Sequence, residues 1–178
     1  MAIPAYRGFY SLLTYAQDVL RANYAGIQAE INTGLSGVIT LPDVDPSAIY
    51  ASDGRIQPQA TAWMLVTARQ DSTRSLGVGV EDVVYTLVVV CGHRAQQYKD
   101  APVEPTTEAT GWEQAALMAR AAQTLLERHL PEQDGVLLVT AGKQTQNAFD
   151  RRRYGAFRQE IELQVRIRQQ DGFGTSTP

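Results

Sequence analysis

Cys91 is the only cysteine of the chain, and His93 follows it two positions later, with the second histidine at position 129. A thiol needs a basic neighbour to form a nucleophile at neutral pH, so this pair is the first place to look for covalent chemistry. The local sequence argues against it. Cys91 closes the apolar run from Val83, where a buried thiol acts as a small hydrophobe, and His93 is expected to face away from it.

Gly142-Lys143, just after the apolar stretch Val136 to Thr140, has the outline of a phosphate loop. That cradle requires a glycine five residues before the second glycine and a hydroxyl after the lysine, and Leu137 and Gln144 occupy those places. Nucleotide binding is not expected. Asp43 and Asp45 are the best carboxylate pair for a cation, but aspartates in a proline-rich stretch more often cap turns on their own backbone. Two histidines and one cysteine do not make a zinc set. Glu160 and Glu162 neighbour arginines, where a nuclease would want clustered carboxylates with a lysine. No catalytic residue, metal site or cofactor is predicted, and the chain is not expected to be an enzyme.

The remaining chemistry is basic. Asp150-Arg151-Arg152-Arg153-Tyr154-Gly155-Ala156-Phe157-Arg158 is followed by Arg166 and Arg168. Guanidinium forks beside aromatic rings can grip phosphates or carboxylates in bidentate fashion. Alternatively, the same arginines pair with Asp150, Glu160 or Glu162 on a solvated sheet, at under about 1 kcal/mol each. The formal net charge of −3 and the pI near 5.4 favour a protein interface over an autonomous DNA-binding module. Trp63 and Trp112 read first as core residues. Trp63, Tyr85 and Val88 are also candidates for packing between subunits.

The elements that must position these residues follow from periodicity. The chain has 178 residues, 44% of them hydrophobic and 20% charged, which suits one globular domain over 1–168 followed by a mobile tail over 169–178. Phe9, Leu12, Leu13, Ala16, Val19 and Leu20 mark a helix from Tyr6 to Asn23. Gly34, Gly37, Pro42, Pro46, Gly54 and Pro58 predict an extended loop or arm over 32–59, with a solvated insertion carrying a short strand near Ile49 and Tyr50 as the alternative. Ala60 to Ala68 reads as a strand and Arg69 to Ser75 as the turn after it.

Val83 to Cys91 is apolar on both faces, the pattern of a central strand. Thr110 and Glu113 form a capping box that opens a helix over Trp112 to His129, whose alanine-rich side should cover the sheet. Val136 to Thr140 is a short strand, and Ile161 to Arg168 alternates apolar and polar residues over four pairs. The order predicts an α+β fold with a mixed, mainly antiparallel sheet and both helices packed on it. No stretch has the length and apolarity of a membrane-spanning helix, and the start lacks the pattern of a secretory signal, so a soluble protein is expected.

This layout resembles the tail-terminator and tail-completion proteins of long-tailed bacteriophages. The matching pieces are Tyr6 to Asn23, Ala60 to Cys91, Trp112 to His129, and Val136 to Arg168, and the likeness lies in architecture rather than in a short motif. The resemblance implies a structural virion protein without catalytic residues. Such a protein forms a homohexameric ring that caps the tail-tube protein, docks the head-connector or neck proteins, and lets DNA through its channel without sequence-specific binding. The arginine cluster would then lie on a ring-to-ring contact or line the channel. A head-closure connector is built from similar pieces, and a small nucleic-acid-binding module or a small α+β enzyme are the rival classes.

Overall fold

The computed structural model describes residues 9–34, 39–52, 58, 60–77, 80–93, 105–133, 135–150 and 156–170. Helix α1 spans Phe9–Gly34. Leu12, Leu13, Ala16, Val19, Leu20, Tyr24 and Ile27 recur every three or four residues and are all buried. The helix therefore continues past its expected end at Asn23. Gly26 costs roughly 1 kcal/mol of helix propensity, less than the burial of Tyr24 and Ile27 returns.

The described part of 32–59 is docked rather than extended. Asn32 clamps the Leu41 backbone, accepting from its N–H at 2.7 Å and donating to its carbonyl at 3.1 Å. The Tyr24 hydroxyl donates to the Pro42 carbonyl at 2.9 Å. Leu41, Val44, Ala48 and Ile49 enter the core. Strand β1, Ile49–Ala51, pairs in parallel with the next strand, so the short strand expected near Ile49 and Tyr50 is present, while the described part of the stretch is neither an extended arm nor a solvated insertion.

Strands β2 (Ala62–Gly77), β3 (Val80–His93), β4 (Val136–Asp150) and β5 (Ala156–Gln170) complete a five-stranded sheet ordered β1-β2-β3-β5-β4, antiparallel apart from β1. This is the predicted α+β fold, and β3 is its middle strand. The expected turn at Arg69 to Ser75 is strand instead. Its side chains bury little, and the backbone ladder to β3 holds it. Likewise β4 runs ten residues beyond Thr140, because pairing with β5 replaces the missing apolar pattern.

Helix α2 spans Pro105–His129. It starts at a proline, a residue suited to the first helical position, so Thr110 and Glu113 lie within the helix and do not open it. Ala115, Met118, Ala119, Ala121, Ala122, Leu125 and Leu126 are buried and press onto β3 and β5, while α1 covers β1 and β2. Both helices lie on one face of the sheet. Among the described residues no helix is long and apolar enough to cross a membrane. Gln169 and Gln170, expected in the tail, instead end β5 in register with Glu81 and Val80, and 171–178 lie outside the described residues.

Candidate functional site

Residues paired across strands point to the same face, so the registers assign every side chain to one side of the sheet. Under the helices lie Val83, Tyr85, Leu87, Val89 and Cys91 of β3, facing Ile167, Val165, Leu163, Ile161 and Gln159 of β5. Cys91 and His93 share this face, because residues two apart on a strand do so; the expectation that they diverge is corrected. Cys91 is fully buried, and burial pushes its thiol far above the ordinary range, away from the thiolate form. Burial also lowers the pKa of His93. His129 lies at the far end of α2, 3.2 Å from Glu132. No thiolate and base are brought together among the described residues.

The other candidate chemistry resolves similarly. Gly142 lies within β4 at a bulge, where a Cβ would come to 2.8 Å from the Glu162 carbonyl oxygen. The glycine lets two strands approach, and no helix follows to present amides to a phosphate. Asp45 accepts from the Ser47 N–H at 2.7 Å and the Ser47 hydroxyl at 2.6 Å, capping a single 3-10 turn. The Ser47 hydroxyl is the main cause of the lowered pKa of Asp45, with the backbone bond second. Among the described residues no three histidine, cysteine or carboxylate side chains converge as metal ligands would.

The opposite face carries no described helix, and it holds the arginines. Its rows run across the strands. At the β2–β3 hairpin end, Arg74, Asp82 and Arg168 form one row, and Ser72, Val84, Arg166 and Leu138 the next. Then come Arg69, Thr86, Gln164 and Thr140, followed by Thr67, Val88 and Glu162. Leu65, Val90, Glu160 and Thr145 precede the last row, Trp63, Gly92 and Arg158.

Asp82 is the electrostatic centre of this face. Arg166 Nη2 donates to its Oδ2 at 2.5 Å and Arg168 Nε to its Oδ1 at 3.0 Å. The two guanidiniums leave Asp82 3% exposed while remaining 44% and 48% exposed themselves. They hold its carboxyl below the usual range, the Arg168 bond contributing most and the Arg166 bond next. Two rows along, the Thr86 hydroxyl donates to Asp71. Arg69 Nε donates to Asp71 at 3.2 Å and its Nη2 lies 4.0 Å from Glu162. Arg158 Nη2 donates to Glu160 at 3.4 Å.

The face is therefore polarised: Arg69, Arg74, Arg166 and Arg168 against Asp71 and Asp82 towards the hairpin, and Glu160 and Glu162 against Arg158 at the other end. The alternation in Ile161 to Arg168 marked Arg166 and Arg168 as solvent-facing. Asp82 had no such signal, because its pairing depends on a register set 84 and 86 residues away. Arg151, Arg152 and Arg153 lie outside the described residues. Trp63 and Tyr85 are 1% and 3% exposed within the chain's own fold, and Val88 is half-buried. Leu137 and Leu138, at 45% and 53%, are the exposed leucines of the β4 edge. No protein-family model matches the chain, and no curated protein matches it.

Proposed function

We propose that the chain is a structural virion subunit, a bacteriophage tail terminator that closes into a hexameric ring, caps the tail tube and docks the head connector. The observation that supports this most is the pair of unpaired sheet edges. Among the described residues, β1 covers β2 only at Met64 to Val66, leaving Thr67 to Gly77 without an outer partner. Among the described residues β4 likewise has no outer neighbour.

A sheet edge presents free N–H and C=O groups that pair readily with another strand. The two edges belong to different strands on opposite sides of the sheet, so joining one to the other is a head-to-tail contact, which generates a ring when the rotation closes. Bulges near Asp71 and Gly142 bend both edges and restrict them to a partner of matching twist. Leu137 and Leu138 add apolar surface at such a junction. The charged face is then free to meet the neighbouring ring or the channel.

Electron microscopy and native mass spectrometry of the purified chain test the reading. Rings with a central hole are expected, and Leu137→Glu with Leu138→Glu should return them to monomers of unchanged circular dichroism. A wild-type chain that stays monomeric at high concentration overturns the proposal.

A further inference from the structure

We infer that Arg74, Arg166 and Arg168 form a contact site for the phosphate backbone of duplex DNA, with Asp82 occupying the arginine forks until a phosphate replaces it. The inference rests on the ring reading only in that a ring would bring a duplex along this face. The site itself is argued from its geometry. Arg74 and Arg168 flank Asp82 on one row, and Arg166 reaches the same carboxylate from the next row. Two guanidiniums thus share a single carboxylate, with Arg74 beside it in register, which leaves the cluster positive in a chain whose net charge is −3.

Each guanidinium has five N–H donors. The bonds to Asp82 use one from Arg166 and one from Arg168, and both side chains remain close to half exposed. Both guanidiniums are gathered at one place with donors left over, which a phosphate can engage before it displaces Asp82. Arg166 and Arg168 stand two residues apart on one strand, about 6.7 Å, comparable to the separation of successive phosphates on one nucleic-acid strand. Among the neighbouring side chains Ser72, Gln164 and Thr140 are neutral hydrogen-bonders, of the kind that contact phosphate and sugar without reading bases, and the nearby Asp71 is held by Arg69 and Thr86. Acidic neighbours would repel a polyanion, and Glu160 and Glu162 lie on rows further from the hairpin.

The experiment measures binding of a fluorescent 30-base-pair duplex to the full chain across salt concentrations, with ring formation scored separately by native mass spectrometry. Affinity should fall steeply with salt, and Arg166→Gln with Arg168→Gln should weaken it at least about tenfold and reduce the log–log salt slope by about one per arginine removed. Asp82→Asn is the gain-of-function arm: it removes the competing carboxylate without removing a donor, so it should bind several-fold tighter. Arg128→Gln, on the last turn of α2, should change nothing.

No binding by the wild type, an unchanged double variant, or unchanged or weaker binding by Asp82→Asn overturns the assignment, whether or not rings form. Equal affinity for poly-glutamate of matched charge overturns it in favour of an acidic protein partner. Rings that form without binding DNA remove this inference alone, whereas a monomer that binds DNA as expected removes the ring reading alone.

Discussion

On the helix-covered face, Val83, Leu87, Val89, Ile161, Leu163, Val165 and Ile167 are all essentially sealed from solvent, and every one is apolar. On the reverse of the same two strands stand Asp82, Thr86, Glu160, Glu162, Arg166 and Arg168, interrupted by Val84, Val88 and Val90. One backbone thus carries two sets of demands, in alternation. The covered face is decided by packing, where each methylene counts. The hairpin end of the charged face is decided by pairing of half-exposed arginines, where single contacts are worth little and their arrangement matters more than their sum, while Trp63, Leu65 and Val90 at its other end are buried.

The sharpest test of that contrast uses adjacent residues. Leu163→Ala empties a sealed site beneath α2 and should cost about 2 to 5 kcal/mol in urea unfolding. Gln164→Ala, its neighbour on the exposed side, should stay within about 0.5 kcal/mol of the wild type. Equal losses would mean that the charged face is packed as a core.

Two glycines probe the faces next. A Cβ on Gly92 would lie 2.2 Å from the Trp63 ring, and one on Gly111 would lie 2.2 Å from the Phe157 ring, which itself meets Trp112 edge-on at a centroid distance of 5.2 Å. Gly92→Ala should cost about 1 to 3 kcal/mol through overpacking. Gly111→Ala should cost less, because alanine recovers up to about 1 kcal/mol of helix propensity. A neutral Gly92→Ala would show that Trp63 moves freely, and the charged face would then lack a packed anchor at that end.

These particulars also show what was legible in the sequence. Ile161 to Arg168 announced its two faces because period-two alternation is a direct image of burial, and Val83 to Cys91 announced a central strand. Arg69 to Gly77 and the part of β4 beyond Thr140 did not read as strands, since their sequences lack the apolar alternation and the backbone pairing that forms them leaves no such mark. The start of α2 was hidden behind Thr110 and Glu113, which mimic a cap one and a half turns inside the helix. Of the candidate site, Arg166 and Arg168 were visible. Asp82 and Arg74 were not, because only the fold brings four residues from three strands together.

The protonation of Asp82 sharpens the comparison within the charged face. Its folded-state pKa is depressed below the unfolded value near 3.8, so its stabilising contribution is complete above that value and is lost as pH falls through the folded one. Wild type and Asp82→Asn should therefore differ in melting temperature by a constant amount from pH 5 to 8, an order-of-magnitude window for ionised carboxylates, and converge below the unfolded pKa. A difference that persists into strong acid would assign the effect to shape rather than charge.

Arg69 should show the smallest effect of all. It has the same chemistry as Arg166 and Arg168 and stands on the same face, yet it is 64% exposed, and its two acceptors, Asp71 and Glu162, are themselves about 30% exposed. Water competes for every bond it makes, and holding a long side chain in place costs rotamer entropy that the weak Coulomb gain barely offsets. Arg69→Ala should thus change unfolding free energy by less than about 0.5 kcal/mol, and 0.5 M salt should erase the remainder, since screening at that ionic strength acts over only a few ångströms. A larger, salt-resistant loss would mean that Arg69 is coupled to the Asp82 cluster, which would then reach as far as the Thr86 row.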